Sequence, residues 1–147
     1  MVNLRDVEPR VFSNQVADQS AELLMLTENW FGACHARPVD MLMSIAKQPF
    51  PELRCSVFTL FNAVAATPWG QHLLNSHAGF NEYLLDRNTE KSKEPKEAKY
   101  AVVKTLAESP TSLDIFGRPY HVRLRQFVNE GPFYVRVEAA VAFEEAS

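Results

Sequence analysis

Prolines and a helical spacing of apolar residues constrain this chain most. Pro38, Pro51 and Pro68 each precede a stretch in which large apolar side chains recur every three or four residues. That spacing gathers the apolar side chains on one side of an α-helix. Proline suits the first turn of a helix and disfavours helix in the residue before it. The sequence therefore predicts an all-α chain of short helices separated by proline-marked breaks.

The first half of the chain contains five predicted helices. Leu23, Leu26, Trp30 and Phe31 form the apolar stripe of the first, in residues 18–33, and Asp18 is its candidate N-cap. Trp30 is accordingly assigned to the core, and Trp69 is assigned there too in preference to an exposed anchor. The remaining helices are expected over residues 38–48, 51–66, 68–75 with Thr67 as cap, and 80–86 after Gly79. The stripe over residues 51–66 comprises Leu53, Val57, Leu60, Phe61 and Val64.

The second half opens with a change of composition. In residues 86–99, nine of fourteen residues are charged and the signs alternate, which is typical of a solvated connector rather than a partner-binding charge clamp. Helices are expected over residues 96–108, over 113–116 with Ser112 as cap, and over 119–129. Residues 133–137 are predicted to be extended, and residues 138–147 to form a frayed tail.

These elements group into about three helix pairs, roughly residues 14–48, 51–87 and 95–130. Pairs of about 35 to 40 residues match the length of armadillo and HEAT repeats. We therefore predict an ARM/HEAT-like helical-hairpin solenoid segment over residues 1–137, followed by the short tail. Periodicity alone leaves a single compact helical bundle as an equal alternative.

Charge and composition exclude several classes of partner. The net charge of −3 and the pI near 5.8 give no basic footprint for nucleic acid or an anionic membrane. No apolar run approaches the roughly 20 residues that span a bilayer. Residues 1–10 contain acids and lack the apolar region of a signal peptide. Cys34 and Cys55 lie in apolar stretches and predict reduced, buried thiols in a cytoplasmic or nuclear protein.

Catalytic and metal-binding patterns are weak in this sequence. Cys34 and His35 are adjacent, so their side chains diverge by about 100° on a helix. His72 and His77 are five residues apart, whereas a zinc pair on one helix face needs four. We therefore expect no enzyme activity, cofactor, metal or small-molecule substrate. A hydrolase using Cys34 or Cys55 remains the minor alternative.

The candidate binding positions are polar residues on the second helix of each pair. Second helices line the concave surface of a solenoid. Arg118, His121 and Arg125 are spaced by three and four residues, so they share a helix face that is either solvated or an acidic-partner patch. The full set of partner-binding candidates is Arg37, Asp40, Gln71, Asn75, Arg118, His121 and Arg125.

Several strings also carry a family resemblance. Residues 130–135 read EGPFYV, and with residues 67–71, 79–87, 98–100, 104–106, 115–117 and 124–125 they resemble the C-terminal portion of a proteasome family. That family is the non-ATPase regulatory subunit 5 of the 26S proteasome, an assembly chaperone with an ARM/HEAT-like fold. The resemblance implies a non-enzymatic chaperone that binds the C-terminal domain of a proteasomal ATPase subunit while the regulatory-particle base assembles. A generic ARM/HEAT scaffold for a linear peptide is the alternative.

The same resemblance implies that further repeats precede this segment in the family. The first helix pair would then lack a neighbour for Leu23, Leu24, Met41 and Met43. We therefore expect this pair to expose apolar side chains.

Overall fold

The computed structural model describes residues 9–34 and 36–135, with side chains described from residue 21 onward. Its helices are α1 (Pro9–Cys34), α2 (Pro38–Ala46), α3 (Pro51–Ala65), α4 (Pro68–Ser76), α5 (Phe80–Leu85), α6 (Lys93–Glu108), α7 (Ser112–Phe116) and α8 (Arg118–Glu130). No strand occurs among the described residues. The all-α prediction is confirmed. His35, residues 1–8, residues 136–137 of the extended segment and the predicted tail 138–147 lie outside the described residues.

Proline sets the start of three helices, as predicted. Pro38, Pro51 and Pro68 stand in the first turns of α2, α3 and α4. The hydroxyl oxygen of Thr67 accepts a hydrogen bond from the Gly70 amide at 3.1 Å, which confirms it as the N-cap of α4.

Three predicted helix starts are wrong. Helix α1 begins at Pro9, so Asp18 lies inside the helix and does not cap it. Helix α6 begins at Lys93, three residues before the predicted start. Ser112 is the first residue of α7 rather than its cap, because its buried hydroxyl donates to the carbonyl oxygen of Leu106.

Helix α3 is the centre of the fold. It packs most extensively against α6 and also contacts α2 and α4. Helix α4 contacts α7, and α5 contacts α8, so corresponding helices of the second and third predicted pairs lie against one another. This order is consistent with stacked hairpins. The first pair departs from it, because α2 packs on α3 while α1 contacts α2 and α4.

The core lies along α2, α3, α5, α6 and α8, with Leu74 added from α4. Phe58, Phe61 and Phe80 are fully buried, and the Phe61 and Phe80 rings meet edge to face with centroids 5.2 Å apart. Within the predicted stripe of α3, Val57, Phe61 and Val64 are buried, but Leu53 and Leu60 are exposed. These two leucines lie on the side of α3 opposite its neighbours.

Helix α1 exposes the apolar stripe that the sequence assigned to the core. Trp30 is 67% exposed and Leu23 is 62% exposed, so the core assignment of Trp30 is wrong. Phe31 alone of that stripe packs inward, with its ring centroid 5.7 Å from that of the half-buried Trp69. The assignment of Trp69 to the core is thus supported, and α1 is attached through its C-terminal end.

Gly70 lets α4 approach the end of α3. A Cβ atom at this position would lie 1.9 Å from the carbonyl oxygen of Val64 and 2.6 Å from its Cγ1. No side chain can occupy that space without moving the backbone, so Gly70 determines how closely the two helices pack.

Candidate protein-binding surfaces

Polar contacts join α2, α4 and α7 in a row. The Asp40 carboxylate of α2 lies 2.5 Å from Nε2 of His77, at the end of α4. The Asn75 amide of α4 donates to the carbonyl oxygen of Ile115 in α7 at 3.1 Å. Helix α8, the second helix of the third predicted pair, lies outside this row and packs against α5, α6 and α7.

Most of the predicted binding positions are accessible on α2, α4 and α8 or at their ends. Six of them are at least partly exposed, and we call this set the second-helix surface: Arg37, Asp40, Asn75, Arg118, His121 and Arg125. His121 is half-buried and the other five are exposed. Arg118, His121 and Arg125 belong to α8, which begins at Arg118.

Gln71 was predicted among these positions, but its side chain is inaccessible. It is 0% exposed, and its amide nitrogen donates to the Ala65 carbonyl at 2.9 Å and to the Ser109 hydroxyl at 2.7 Å. Its amide oxygen accepts from the Thr111 hydroxyl at 2.7 Å. Gln71 therefore joins α4 to the segment between α6 and α7, and the premise that it is exposed is wrong.

The predicted solvated connector is held by buried charges. We call residues 86–92 the connector. The Glu90 side chain is only 2% exposed and lies 2.9 Å from Nη1 of Arg54 and 3.7 Å from Nζ of Lys99. Arg54 also donates to the Thr89 carbonyl oxygen at 2.7 Å. The prediction of a solvated loop is wrong at Glu90, because this carboxylate ties the connector to α3 and α6.

Lys99 completes this buried network from α6. Its ammonium donates to the Asp86 carbonyl oxygen and to the Thr89 hydroxyl, both at 2.6 Å, and lies 4.5 Å from the centre of the Tyr83 ring. Burial lowers the pKa of Lys99 to about 8, although the nearby charges of Glu90 and Asp86 act in the opposite direction. Burial and then Glu90 raise the pKa of Tyr83 to about 12. The network is structural, since every ionised group in it has a partner.

Arg87, which belongs to the connector, attaches the segment after α8 to the side of the connector opposite Glu90. Its guanidinium lies 3.7 Å from the centre of the Phe127 ring and 5.2 Å from that of Tyr134. It also donates to the Gly131 carbonyl oxygen at 2.8 Å and to the Glu130 carboxylate at 3.0 Å. The described part of the C-terminal segment is thus docked on the fold at Tyr134.

A groove of about 730 Å³ lies between the connector, α8 and this docked segment. We call it the connector groove, and its lining includes Asp86, Lys91, Lys96, Arg123, Glu130 and Tyr134. A second cavity of about 500 Å³ shares Leu85, Asp86 and Arg123 with it. The sequence did not predict this groove, because residues 86–99 were expected to be a solvated connector that leads into the polar start of the next helix. The sequence feature that could have indicated the groove was the high density of charged residues on both sides of Pro95.

The two thiols lie in different surroundings. Cys34 is exposed, contrary to the prediction of burial, and its thiol donates to the Trp30 carbonyl oxygen at 3.2 Å. Burial, followed by the charges of Glu94, Glu90 and Glu52, raises the pKa of the half-buried Cys55, which makes it a poorer nucleophile. Among the described residues, no group of three or more His, Cys, Asp or Glu side chains could hold a metal ion.

No described helix is both long and apolar enough to cross a membrane.

Comparison with known proteins gives a consistent result. The family described as proteasome non-ATPase 26S subunit matches residues 7–147. The 26S proteasome non-ATPase regulatory subunit 5 of Bos taurus is 43% identical over 129 residues, which cover 88% of this chain and 26% of the relative. The human protein of the same name is 44% identical over 87% of this chain and 25% of its own length. The Drosophila melanogaster protein is 26% identical over 85% of this chain.

The chain therefore spans about a quarter of the length of the curated relatives it matches. No solved structure matches it significantly.

Proposed function

Because the chain belongs to the family of proteasome non-ATPase 26S subunits, we propose that it is a non-enzymatic assembly chaperone. It binds the C-terminal domain of an ATPase subunit while the base of the 26S proteasome regulatory particle assembles. The observation that carries this proposal is the family match over residues 7–147. The curated relatives are named as non-ATPase regulatory subunits of the 26S proteasome, which supports a role other than that of an ATPase subunit.

The helical stack provides a surface suited to this role. Stacked hairpins present an extended face to a folded partner, and polar side chains on that face determine which partner is accepted. On the second-helix surface, Arg118 and Arg125 are exposed cations that share one side of α8. We assign them to contacts with carboxylates of the ATPase domain. The chain acts without a cofactor or small-molecule substrate, in the cytoplasm or nucleus.

Co-purification with separately expressed C-terminal domains of the proteasomal ATPase subunits tests the proposal. We expect one of these domains to be captured by this chain and the others to be retained weakly or not at all. If none of them is captured, the chaperone role is rejected, and the remaining proposal is a scaffold that binds a linear peptide.

A charge-reversal variant tests the assigned surface. We expect the double variant Arg118→Glu, Arg125→Glu to weaken capture of the bound domain about tenfold, which corresponds to about 1.4 kcal/mol. Lys104→Glu is the control, because Lys104 is exposed on α6, outside the second-helix surface. Undiminished capture by the double variant would exclude this side of α8 from the interface.

A further inference from the structure

We propose that the connector groove is a docking site for an acidic, extended segment of a protein. This inference goes beyond the chaperone role, because it concerns a second surface and a different kind of contact. The groove contains both positive and negative side chains, so its affinity for an acidic ligand depends on which of them are already neutralised inside the protein.

The carboxylates of the groove are engaged. Glu90 is buried between Arg54 and Lys99. Glu130 receives hydrogen bonds from Arg87 and from Gln126, both at 3.0 Å. These two carboxylates therefore add little negative potential to the groove.

The Asp86 carboxylate is engaged differently. It accepts a hydrogen bond from the Asn88 amide at 2.9 Å, which closes a local turn of the connector. Its role is to shape the connector rather than to neutralise a cation of the groove.

The cations of the groove are not engaged to the same degree. Lys91 and Lys96 make no ion pair with any residue that the structure describes. Arg123 lies 3.5 Å from Glu82, but the two side chains are 51% and 77% exposed. An ion pair so exposed contributes little and exchanges readily for another carboxylate. The groove thus presents three positive side chains to an incoming ligand.

Apolar surface lies beside these cations. Tyr134 and Val135 line the groove and are exposed, and Pro132 stands next to them. A segment that combines carboxylates with apolar side chains would satisfy both kinds of surface. The volume of about 730 Å³ accommodates several residues of such a segment. The neighbouring cavity, which shares Arg123, extends the path in one direction.

The groove is also held in shape before any ligand arrives. The buried network of Arg54, Glu90 and Lys99 fixes one side of the connector, and Arg87 fixes the other side against Phe127 and Glu130. A preformed site loses less conformational entropy on binding than one that must be ordered.

The pattern of charge in the groove favours a short acidic peptide over a nucleic acid. Asp86 lies among the three cations and Glu82 lies beside Arg123 in the neighbouring cavity, so the cations form no continuous basic stripe among the described residues. A phosphate backbone needs a continuous basic stripe, because its affinity comes from neutralising many phosphates in sequence. A short segment with a few spaced carboxylates needs only three cations.

The connector groove and the second-helix surface are separate on α8. Arg123 comes five residues after Arg118, so at about 100° per residue it lies about 140° around the helix. Variants of one surface therefore leave the other intact.

Fluorescence anisotropy with a labelled twelve-residue peptide of alternating Glu and Leu tests the proposal. We expect saturable binding that weakens as sodium chloride rises from 50 to 200 mM, and no binding of the peptide with Gln in place of Glu. The double variant Lys91→Glu, Lys96→Glu should bind at least tenfold more weakly. Lys93→Glu, Lys104→Glu is the matched control, because it changes the net charge equally at exposed sites that do not line the groove.

Several outcomes would overturn the proposal. Equal weakening in the control double variant would mean that only the net charge matters. Tighter binding of a single-stranded DNA of the same charge would identify a phosphate site. A rise of tenfold or more in affinity after replacing Glu138, Glu144 and Glu145 by Gln would show that the chain's own C-terminal residues occupy the groove. If the Glu double variant fails to fold, Lys91→Gln, Lys96→Gln replaces it, and unchanged peptide affinity in that variant would reject the proposal.

Discussion

Helix α1 and the block formed by α3 to α8 follow the same sequence rule with opposite results. Both have apolar side chains at helical spacing, yet Trp30 of α1 is 67% exposed while Phe61 of α3 is completely buried. Phe61 faces neighbours on several helices, whereas α1 contacts α2 and α4 near its C-terminal end. An apolar stripe therefore shows that a helix face can be covered, but it does not show that a neighbour is present to cover it.

The largest expected effect separates these two regions directly. We expect Phe61→Ala to lower the free energy of unfolding by about 4 kcal/mol, because it leaves a cavity in the core. Trp30→Ala removes a larger side chain, but we expect a change below about 0.5 kcal/mol because that side chain is solvated. Urea unfolding followed by circular dichroism measures both. Comparable losses in the two variants would mean that α1 is packed as tightly as α3.

The second prediction concerns the buried carboxylate that joins the connector to the block. Glu90→Gln keeps the shape of the side chain but leaves Lys99 and Arg54 without their counter-charge. We expect a loss of about 3 kcal/mol in the free energy of unfolding, since breaking a buried ion pair strands a buried charge. Glu97→Gln is the control, because the Glu97 side chain is 50% exposed and lies 4.0 Å from Lys93. A loss no larger than in the control would show that the connector is not held by Glu90.

The pH dependence of stability gives the third prediction. The pKa of Lys99 is lowered from 10.5 to about 8 in the folded protein, so between these pH values the unfolded chain binds one more proton at this site. The contribution of Lys99 to stability therefore rises with pH in this window, by about 2 kcal/mol between pH 8 and 10, and the raised pKa of Cys55 opposes part of this rise. Above pH 10 the trend reverses, because the raised pKa values of Tyr83 and Tyr120 make the unfolded chain lose protons first.

Thermal unfolding of the Lys99→Met variant checks this assignment. We expect the rise between pH 8 and 10 to disappear in Lys99→Met and to persist in Lys104→Met, whose side chain is exposed. A rise that is retained in Lys99→Met would assign the pH dependence to another group.

The local features of the fold could be predicted because they depend on neighbours in sequence. Pro38, Pro51 and Thr67 act within one helical turn, and the structure places each where the sequence predicts. The resemblance also predicted an uncovered first pair, and Leu23 is indeed exposed, although Met43 is 5% exposed and belongs to the core. The burial of Met43 depends on how whole helices pack against one another, and a local sequence pattern does not contain that information.

The surfaces were harder to predict for a related reason. Gln71 has the same polarity as an exposed binding residue, but its partners Ser109 and Thr111 come about forty residues later in the chain. Glu90 likewise has a partner, Arg54, that is distant in sequence. Polar residues buried by distant partners look the same in the sequence as polar residues in water. Lys91 and Lys96 were missed because the groove that they line is closed by α8 and the segment after it, which come later in the chain.

The smallest expected effect on stability returns to the exposed side of α1. We expect the double variant Leu23→Ser, Leu26→Ser to change the free energy of unfolding by less than about 0.5 kcal/mol, since these side chains are 62% and 46% exposed. Self-association should respond instead, because exposed apolar patches promote contacts between molecules. Sedimentation velocity at increasing protein concentration should show association in the parent chain and less of it in the variant. Leu53→Ser, Leu60→Ser is the comparison on α3, where both leucines are also exposed. If only the α3 variant reduces association, the self-association surface lies on α3, and the apolar stripe of α1 is exposed to solvent without causing association.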